Sequence, residues 1–252
     1  MSSDQPTLVI GGTRGTGRLI AMRLLAQGAP VRVLARNPDR AIQRFPPQVE
    51  VVGGDITKTA TLLPALMGVH DIVFTAGCRS GRPASQHRIR ATEYEGVLRT
   101  LDAADRADVP GRFLYMTSSG VGQPSLPAML LNLYKGNTLL WRLRAEEAIR
   151  ASDLIYTIIR TGVLLNRPGG HHAIKVSQTP LPLSPRYRIA RADVAEAFVT
   201  ALHHPRTPRT TFELAWGSPG PPGDWEALLT HLVPDDEHPR ERPNPRLEPT
   251  PA

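Results

Sequence analysis

Over its first 120 residues the chain alternates between short apolar runs and stretches whose apolar side chains return every three or four positions. Thr7-Leu8-Val9-Ile10 predicts a first strand running into glycines, and Gly17–Gln27, with Leu19, Ile20, Leu24 and Leu25 at helical spacing, predicts the helix after it. Val31–Ala35 and Val49–Val52 read as the second and third strands, the latter followed by Gly-Gly-Asp. Leu62–Met67 predicts a short helix, Asp71–Ala76 a fourth strand, and Thr92–Ala107 a helix with Leu98, Leu101 and Ala104 on one side. Phe113–Thr117 is a fifth strand that runs into Ser118 and Ser119. One long helix is predicted from Leu130 to Ala151, then a sixth strand at Tyr156–Arg160, a helix at Arg191–His203 and a last strand at Thr211–Ala215.

Near-continuous apolar strands, each followed by a helix, suit a parallel sheet covered on both faces. Parallel neighbours are joined by right-handed crossovers, so the pattern predicts an α/β fold, a Rossmann-type doubly wound parallel sheet. A single domain over residues 1–233 is expected, with a small C-terminal substrate region formed mainly by 162–190 and 216–233. From Pro234 onward six of 19 residues are proline and most others are charged or polar. Such a stretch buries too little apolar surface to offset its ordering entropy, and residues 234–252 are expected to be a disordered tail.

Composition narrows the possible functions. Apolar residues make up 40% of the chain, but no uninterrupted apolar run approaches the roughly 18–20 residues of a membrane span, so no membrane partner is expected. The start, MSSDQPTLVIGG, has no basic stretch ahead of its first strand and reads as no signal peptide. The one cysteine, Cys78, allows neither an internal disulfide nor a cysteine-based metal site, and a reducing, cytoplasmic compartment is the simplest expectation. Of 30 basic residues only Lys58, Lys135 and Lys175 are lysine, and the net charge is +7. That balance suits an anionic partner, but the arginines are scattered and no zinc-finger or RNA-binding signature is present, so nucleic acid is not the expected one.

The sharpest local signal is Gly11-Gly12-Thr13-Arg14-Gly15-Thr16-Gly17, set between the first strand and the first helix. Glycines at 11, 15 and 17 divide the work: Gly11 for a tight turn, Gly15 for close approach of backbone to a pyrophosphate, Gly17 for close helix–sheet packing. The free N–H groups and partial positive charge of the helix N-terminus then face the phosphates. At the end of the second strand, where an acid would bind the ribose hydroxyls of NAD, this chain has Arg36. Arg36, with Arg14 from the glycine turn, suits the 2′-phosphate of NADP(H), which is therefore expected over NAD(H). Asn37 and Arg40 are further candidates for that contact. Asp55, with Ile56 beside it, follows the third strand where a carboxylate can accept from an adenine amino group, and Ala76 and Gly77 leave room for adenosine and ribose.

GGTRGTGR, the strand-end arginine, GGDITK, FTAG, FLYMTSSG and AEEAIRASDLIYTIIRTGVL, taken in order, resemble the atypical short-chain dehydrogenase/reductase family in its NmrA-like, NAD(P)H-binding branch. The segment Ile189–Ala195 is similar to the same branch, and the resemblance covers about residues 7 to 216. It implies a Rossmann-type domain that binds a dinucleotide, without naming a reaction.

Members of that superfamily with a catalytic tyrosine place Tyr and Lys four residues apart on one helix face, where the ammonium lowers the phenol's pKa. Here Ser118 and Ser119 stand in the matching place for the serine, but Tyr134 and Lys135 are adjacent, and the residue four after Tyr134 is Thr138. Neighbours on a helix point about 100° apart, so the pair does not reproduce that geometry. Ser118, Tyr134 and Lys135 are nonetheless the residues expected to line the nicotinamide end. Arg142 and Arg144 are candidates to orient a ribose or an anionic substrate. Three outcomes stay open: hydride transfer to a quinone, flavin or activated alkene without a strong protein acid; protonation of a carbonyl substrate by Tyr134 or water; or no turnover, the chain acting as an NADP(H)-binding regulator or assembly protein. Metal is not expected at His171-His172, since adjacent histidines do not easily face one ion and no acid or cysteine has supporting spacing, and His203-His204 read as the end of a helix, where positive charge complements the dipole. Arg79, Arg82, Arg88 and Arg90 are candidates for a basic lip over the phosphates, and Pro180–Pro185 for a frame around the substrate. The sequence leaves oligomeric state open.

Overall fold

The computed structural model describes residues 4–78 and 85–237. Six strands, β1 (Thr7–Ile10), β2 (Val31–Ala35), β3 (Val49–Gly53), β4 (Asp71–Phe74), β5 (Arg112–Ser118) and β6 (Ile155–Thr161), pair in parallel in the order β3-β2-β1-β4-β5-β6. The sheet continues with β10 (Thr210–Pro219), parallel to β6, and ends with β8 (His172–Ser177), antiparallel to β10. Two short strands, β7 (Val163–Leu165) and β9 (Arg188–Ala190), form a separate parallel pair. This is the doubly wound Rossmann-like fold that the sequence predicts. The strand order reverses between β1 and β4, which opens a crevice at their carboxyl ends.

The uninterrupted apolar character of the strands has a direct cause in the two packed faces. Val9, Val73, Leu114 and Ile159 face one core together with Ile20 and Leu24 of α1 (Gly15–Ala26) and Phe198 of α8 (Arg191–His203). Their strand neighbours Leu8, Ile10, Ile72, Phe74, Phe113, Tyr115 and Ile158 face the other. There they meet Leu62 and Leu66 of α3 (Leu62–Leu66), Val97 and Ala104 of α5 (Glu95–Arg106), and Ala145 and Ile149 of α7 (Thr138–Ala151). Every residue of β1 and β4 is buried, and most of β2, β5 and β6, so little polar alternation survives there in the sequence.

Several elements depart from the sequence reading. The helix expected over Leu130–Ala151 is two helices, α6 (Leu126–Tyr134) and α7, separated by Lys135, Gly136 and Asn137. Gly136 and Asn137 both have positive φ (53° and 62°), and the Asn132 side chain accepts from Leu139 N across the break. The helix expected at Thr92–Ala107 is likewise split into α4 (Gln86–Glu93) and α5. Two short helices, α2 (Pro38–Ile42) and α9 (Trp225–Leu229), and the strands β7 and β9 carry too few residues for a periodic signal, and β8, HAIKVS, lacks the continuous apolar run of the other strands.

The packed chain also runs a little past Pro234. Asp235 is buried and accepts from Tyr156 Oη, Arg150 Nε, Thr211 N and Thr211 Oγ1. Residues 238–252, the rest of the expected tail, lie outside the described residues. So do Arg79 and Arg82 of the expected basic lip; of its other two arginines, Arg88 is exposed, and Arg90 pairs with Glu95 at 2.9 Å and lies over the Trp141 ring.

Candidate functional site

The glycine turn closes the crevice at its centre. The carbonyl of Ile10, the last residue of β1, accepts from Thr75 N (2.8 Å) and Thr75 Oγ1 (3.0 Å), which ties the turn to the end of β4. Gly11 then turns the chain at φ +84°, and a Cβ there would stand 2.7 Å from Ala76 N. A Cβ on Gly17 would overlap the Thr75 hydroxyl and sit 2.6 Å from the Gly11 carbonyl oxygen, so the first turn of α1 lies directly on the loop after β4. Above Gly15 (φ +57°) the space is open, with only Arg191 Nη1 at 3.9 Å. Gly12, which sequence reading passed over, is buried, and a Cβ there would stand 3.0 Å from Val33 Cγ1.

The Arg14 side chain does not cap α1, and the first turn carries no acid. Thr13 is half-buried, Arg14 exposed, and Thr16 buried with its hydroxyl oxygen accepting from Arg191 Nη1 at 3.2 Å. An open, uncapped helix N-terminus behind a glycine with no Cβ fits a phosphate group.

On one side of the turn, Arg36 is exposed at the end of β2. Asn37 is committed elsewhere, since its side chain caps α2 by accepting from Arg40 N at 3.0 Å. Asp55 sits opposite. Burial alone would raise its pKa, but hydrogen bonds from Thr57 N and Thr57 Oγ1 (both 2.9 Å), with Arg36 and Lys58 nearby, hold the carboxyl below the ordinary carboxylate value. Ile56 is buried beside it. Arg36 and Asp55, 19 positions apart in sequence, are therefore electrostatic neighbours.

On the other side, Ala76, Gly77 and Cys78 follow β4 over a buried ion pair. Glu93 is 2% exposed and accepts from Cys78 N (3.0 Å), Arg142 Nε (3.0 Å), Arg142 Nη2 (3.2 Å) and the Thr138 hydroxyl. A Cβ on Gly77 would meet Arg142 Nη2 at 3.2 Å. Arg142 is thus a support beneath the loop, with its guanidinium held by Glu93, while Arg144 lies over Trp141 at 5.4 Å. Sequence reading missed Glu93, because a lone glutamate in a polar helix carries no mark of its burial.

The residues expected at the nicotinamide end are brought together only in part. Ser118 ends β5 half-buried, its hydroxyl donating to Ser119 O at 3.1 Å. Lys135 is half-buried at the end of α6; burial lowers its pKa, Arg142 lowers it further, and Glu93 and Cys78 oppose. Tyr134 is 56% exposed on the last turn of α6. The break after α6 removes the single helix on which a residue four positions beyond Tyr134 would share its face.

The second half of the chain reaches over the turn. A cavity of about 400 Å³ borders Gly15 and is lined by Arg18, Asn166, Arg167 and Arg191. Asp193, in the first turn of α8, is buried and accepts from Gly170 N and Trp216 Nε1, both at 2.7 Å. Residues 180–185 fold back over the turn after β5, where Gly120 N donates to Leu181 O at 3.1 Å. A larger cavity, about 620 Å³, lies between β8 and α9 and includes no residue of the glycine turn. Among the described residues no group of three His, Cys, Asp or Glu side chains is placed to hold a metal ion.

A parallel sheet reversing at β1/β4, with a glycine turn and an open helix N-terminus in the crevice, defines an NAD(P)-binding Rossmann protein. A family model described as NAD(P)H-binding matches residues 11–205. The chain belongs to that NAD(P)H-binding family. Sanguinarine reductase of Eschscholzia californica is 29% identical, the match covering 84% of this chain and 90% of that protein. The photosystem II assembly factor Ycf39 of Trieres chinensis is 25% identical over 82% of this chain, which spans 62% of that protein's length. Among solved structures, a putative NAD-dependent epimerase/dehydratase from Bacillus halodurans has a TM-score of 0.75 at 23% identity, covering 90% of this chain and all of that one.

Proposed function

We propose that this protein is an NADPH-dependent oxidoreductase that reduces a small organic molecule: a quinone, flavin, enone or carbonyl compound. The observation that carries the cofactor preference is Arg36, an exposed guanidinium at the end of β2, where NAD-specific folds place an acid. Gly11, Thr13, Gly15, Thr16 and Gly17 would hold the pyrophosphate, Arg14 and Arg36 the 2′-phosphate, and Asp55, Ile56, Ala76 and Gly77 the adenosine. When bound, the cofactor supplies hydride at the carboxyl ends of β4 and β5. Ser118, Tyr134 and Lys135 are the side chains assigned to that end. The lowered pKa of Lys135 suits it to release a proton there, since a half-buried ammonium gives one up more readily than a solvated one. The relation to sanguinarine reductase supports turnover. The partner proposed is a small molecule, not nucleic acid or a membrane, and the compartment proposed is the cytoplasm; among the described residues no helix is long and apolar enough to cross a membrane.

Titration with NADPH and NADH tests the cofactor. NADPH is expected to bind at least tenfold more tightly, and Arg36→Ala to erase most of that difference, the order of one charge-assisted hydrogen bond to phosphate. Equal binding of both by the wild type would sink the preference. A second reading, a catalytically silent NADP(H)-binding regulator or assembly protein, is favoured by the exposure of Tyr134 and the relation to an assembly factor. NADPH oxidation screened against quinones, flavins, aldehydes and enones separates the two. Tight binding with no turnover, unchanged in Tyr134→Phe, would establish the silent reading.

A further inference from the structure

We propose that Arg191, contributed by the second half of the chain, clamps the pyrophosphate of the dinucleotide from above the glycine turn; the assignment rests on the dinucleotide reading of that turn. Arg191 opens α8, 175 positions beyond the Thr16 hydroxyl to which its Nη1 donates at 3.2 Å. Its Nε donates to Asn166 Oδ1 at 2.9 Å. Both acceptors are neutral, and no carboxylate of the described residues lies within ion-pair distance of the guanidinium. The neighbouring acid, Asp193, is spent on Gly170 N and Trp216 Nε1. Arg191 is half-buried, and burial alone holds its pKa below the usual arginine value. A partly desolvated cation without a counter-charge is unfavourable, and its remaining N–H donors call for an anion.

Geometry says where that anion sits. Among the described residues outside its own helix turn, the atom that would lie within 4 Å of a Cβ on Gly15 is Arg191 Nη1, at 3.9 Å. The guanidinium therefore stands over the first turn of α1, beside its uncapped N-terminal end. The Thr16 hydroxyl, accepting from Arg191, keeps its own proton for a second acceptor. One full positive charge, a hydroxyl donor and a helix N-terminus thus converge on one place. Arg18, which also lines the cavity, is engaged elsewhere: it donates to Arg44 O at 3.2 Å and lies over the Phe45 ring at 5.8 Å. Arg36 reads a group that only NADP(H) carries. Arg191 faces the pyrophosphate that NAD(H) and NADP(H) share, so its loss must weaken both alike.

Arg191→Met and Arg191→Lys, beside wild type, are titrated with NADPH, NADH and 2′-AMP, and melted without ligand. Arg191→Met is expected to lose roughly tenfold to a hundredfold in affinity for both dinucleotides by the same factor, and none for 2′-AMP, which lacks the pyrophosphate. Arg191→Lys is expected to fall between, keeping the charge without the fork. Free of ligand, Arg191→Met is expected to melt no lower than wild type, because an unpaired half-buried cation is removed. Unchanged dinucleotide affinity in Arg191→Met, with wild type binding normally, overturns the clamp and leaves the dinucleotide reading standing. A lower ligand-free melting temperature with proportional losses for all three ligands, or a selective loss of NADPH, overturns it as well. Should Arg191→Met not fold, Arg191→Lys decides by the same ratios. Absence of binding by wild type overturns both readings.

Discussion

At the scale of single residues, the glycine turn separates two effects that sequence inspection merges. Gly17 is required by packing: a Cβ would overlap the Thr75 hydroxyl and press on the Gly11 carbonyl. Gly15 is required by conformation, its φ being +57°, and in the proposed site by the ligand, since its Cβ position faces open space below Arg191. Gly17→Ala is therefore expected to destabilise the fold by about 1–3 kcal/mol, as overpacking does, which at this size lowers the melting temperature by roughly 2–4 °C per kcal/mol. Gly15→Ala is expected to lower it less and to weaken NADPH binding more. Thermal melts and binding titrations of the two variants check the split; equal effects on both readouts would refute it. The positions of these glycines were legible because a strand–turn–helix pattern framed them. The role of Arg191 was not, because nothing in an Arg-Ala-Asp triplet reports which residue 175 positions away it touches.

At the scale of elements, a buried ionic network ties α7, β6 and β10 together on the substrate side of the sheet. Glu146 on α7 is chelated by Arg160 of β6 (3.1 and 2.7 Å) and by Arg150 Nη2 (3.0 Å). Glu213 of β10 has the weaker claim on Arg160, at 3.6 Å, and stands 2.5 Å from the Ser119 hydroxyl. Burial pushes Glu213 up to about 7 from a usual 4.5, against the pull of Arg160, Ser119 and the Leu181 backbone and with the help of Glu146. The arginine does not prevail because its fork is already filled by Glu146. Between pH 4.5 and about 7 the folded state holds a proton on Glu213 that the unfolded chain has released. Stability from this group therefore falls as pH rises through that window, by roughly 3 kcal/mol in all. Glu213→Gln, which cannot titrate, is expected to flatten that slope and to be more stable than wild type above pH 7. Denaturant melts at pH 5, 6, 7 and 8 measure it, and an unchanged slope would refute the assignment. The split between α6 and α7 belongs to this scale too. Leu130 to Ala151 has helical composition almost throughout, and only Gly136 and Asn137, adopting positive φ, stop it. The break leaves Tyr134 on the outside and Lys135 half inside.

At the scale of the whole molecule, the chain closes on itself through Asp235. Its carboxylate gathers Tyr156 of β6, Arg150 of α7 and Thr211 of β10, so residues just beyond the expected end of the domain tie two neighbouring strands to α7. Asp235→Ala would leave the buried Tyr156 phenol without that partner and the half-buried Arg150 guanidinium with Glu146 and Thr211. The expected cost is about 2–3 kcal/mol, a fall in melting temperature of roughly 4–12 °C, with dinucleotide affinity at saturating stability unchanged. A shift of a degree or two would show that the chain end contributes little.

The alternation of doubly apolar strands with amphipathic helices, and the glycine turn between the first of each, were enough to determine a Rossmann-type sheet and the kind of ligand its crevice takes. Those signals are local: strand and helix periods, and turn residues, act over fewer than about fifteen positions. Expectations that relied on distant parts of the chain fared differently. Arg142, expected near a ribose or substrate, is a strut for the loop after β4, because Glu93 meets it from another helix. Arg191 faces the glycine turn, and Asp235 belongs to the core, although its surroundings in sequence read as tail. Tertiary structure alone decided these, because the partner of a charged side chain is set by which elements the sheet order brings together, and charge carries no period along the chain from which that partner can be read.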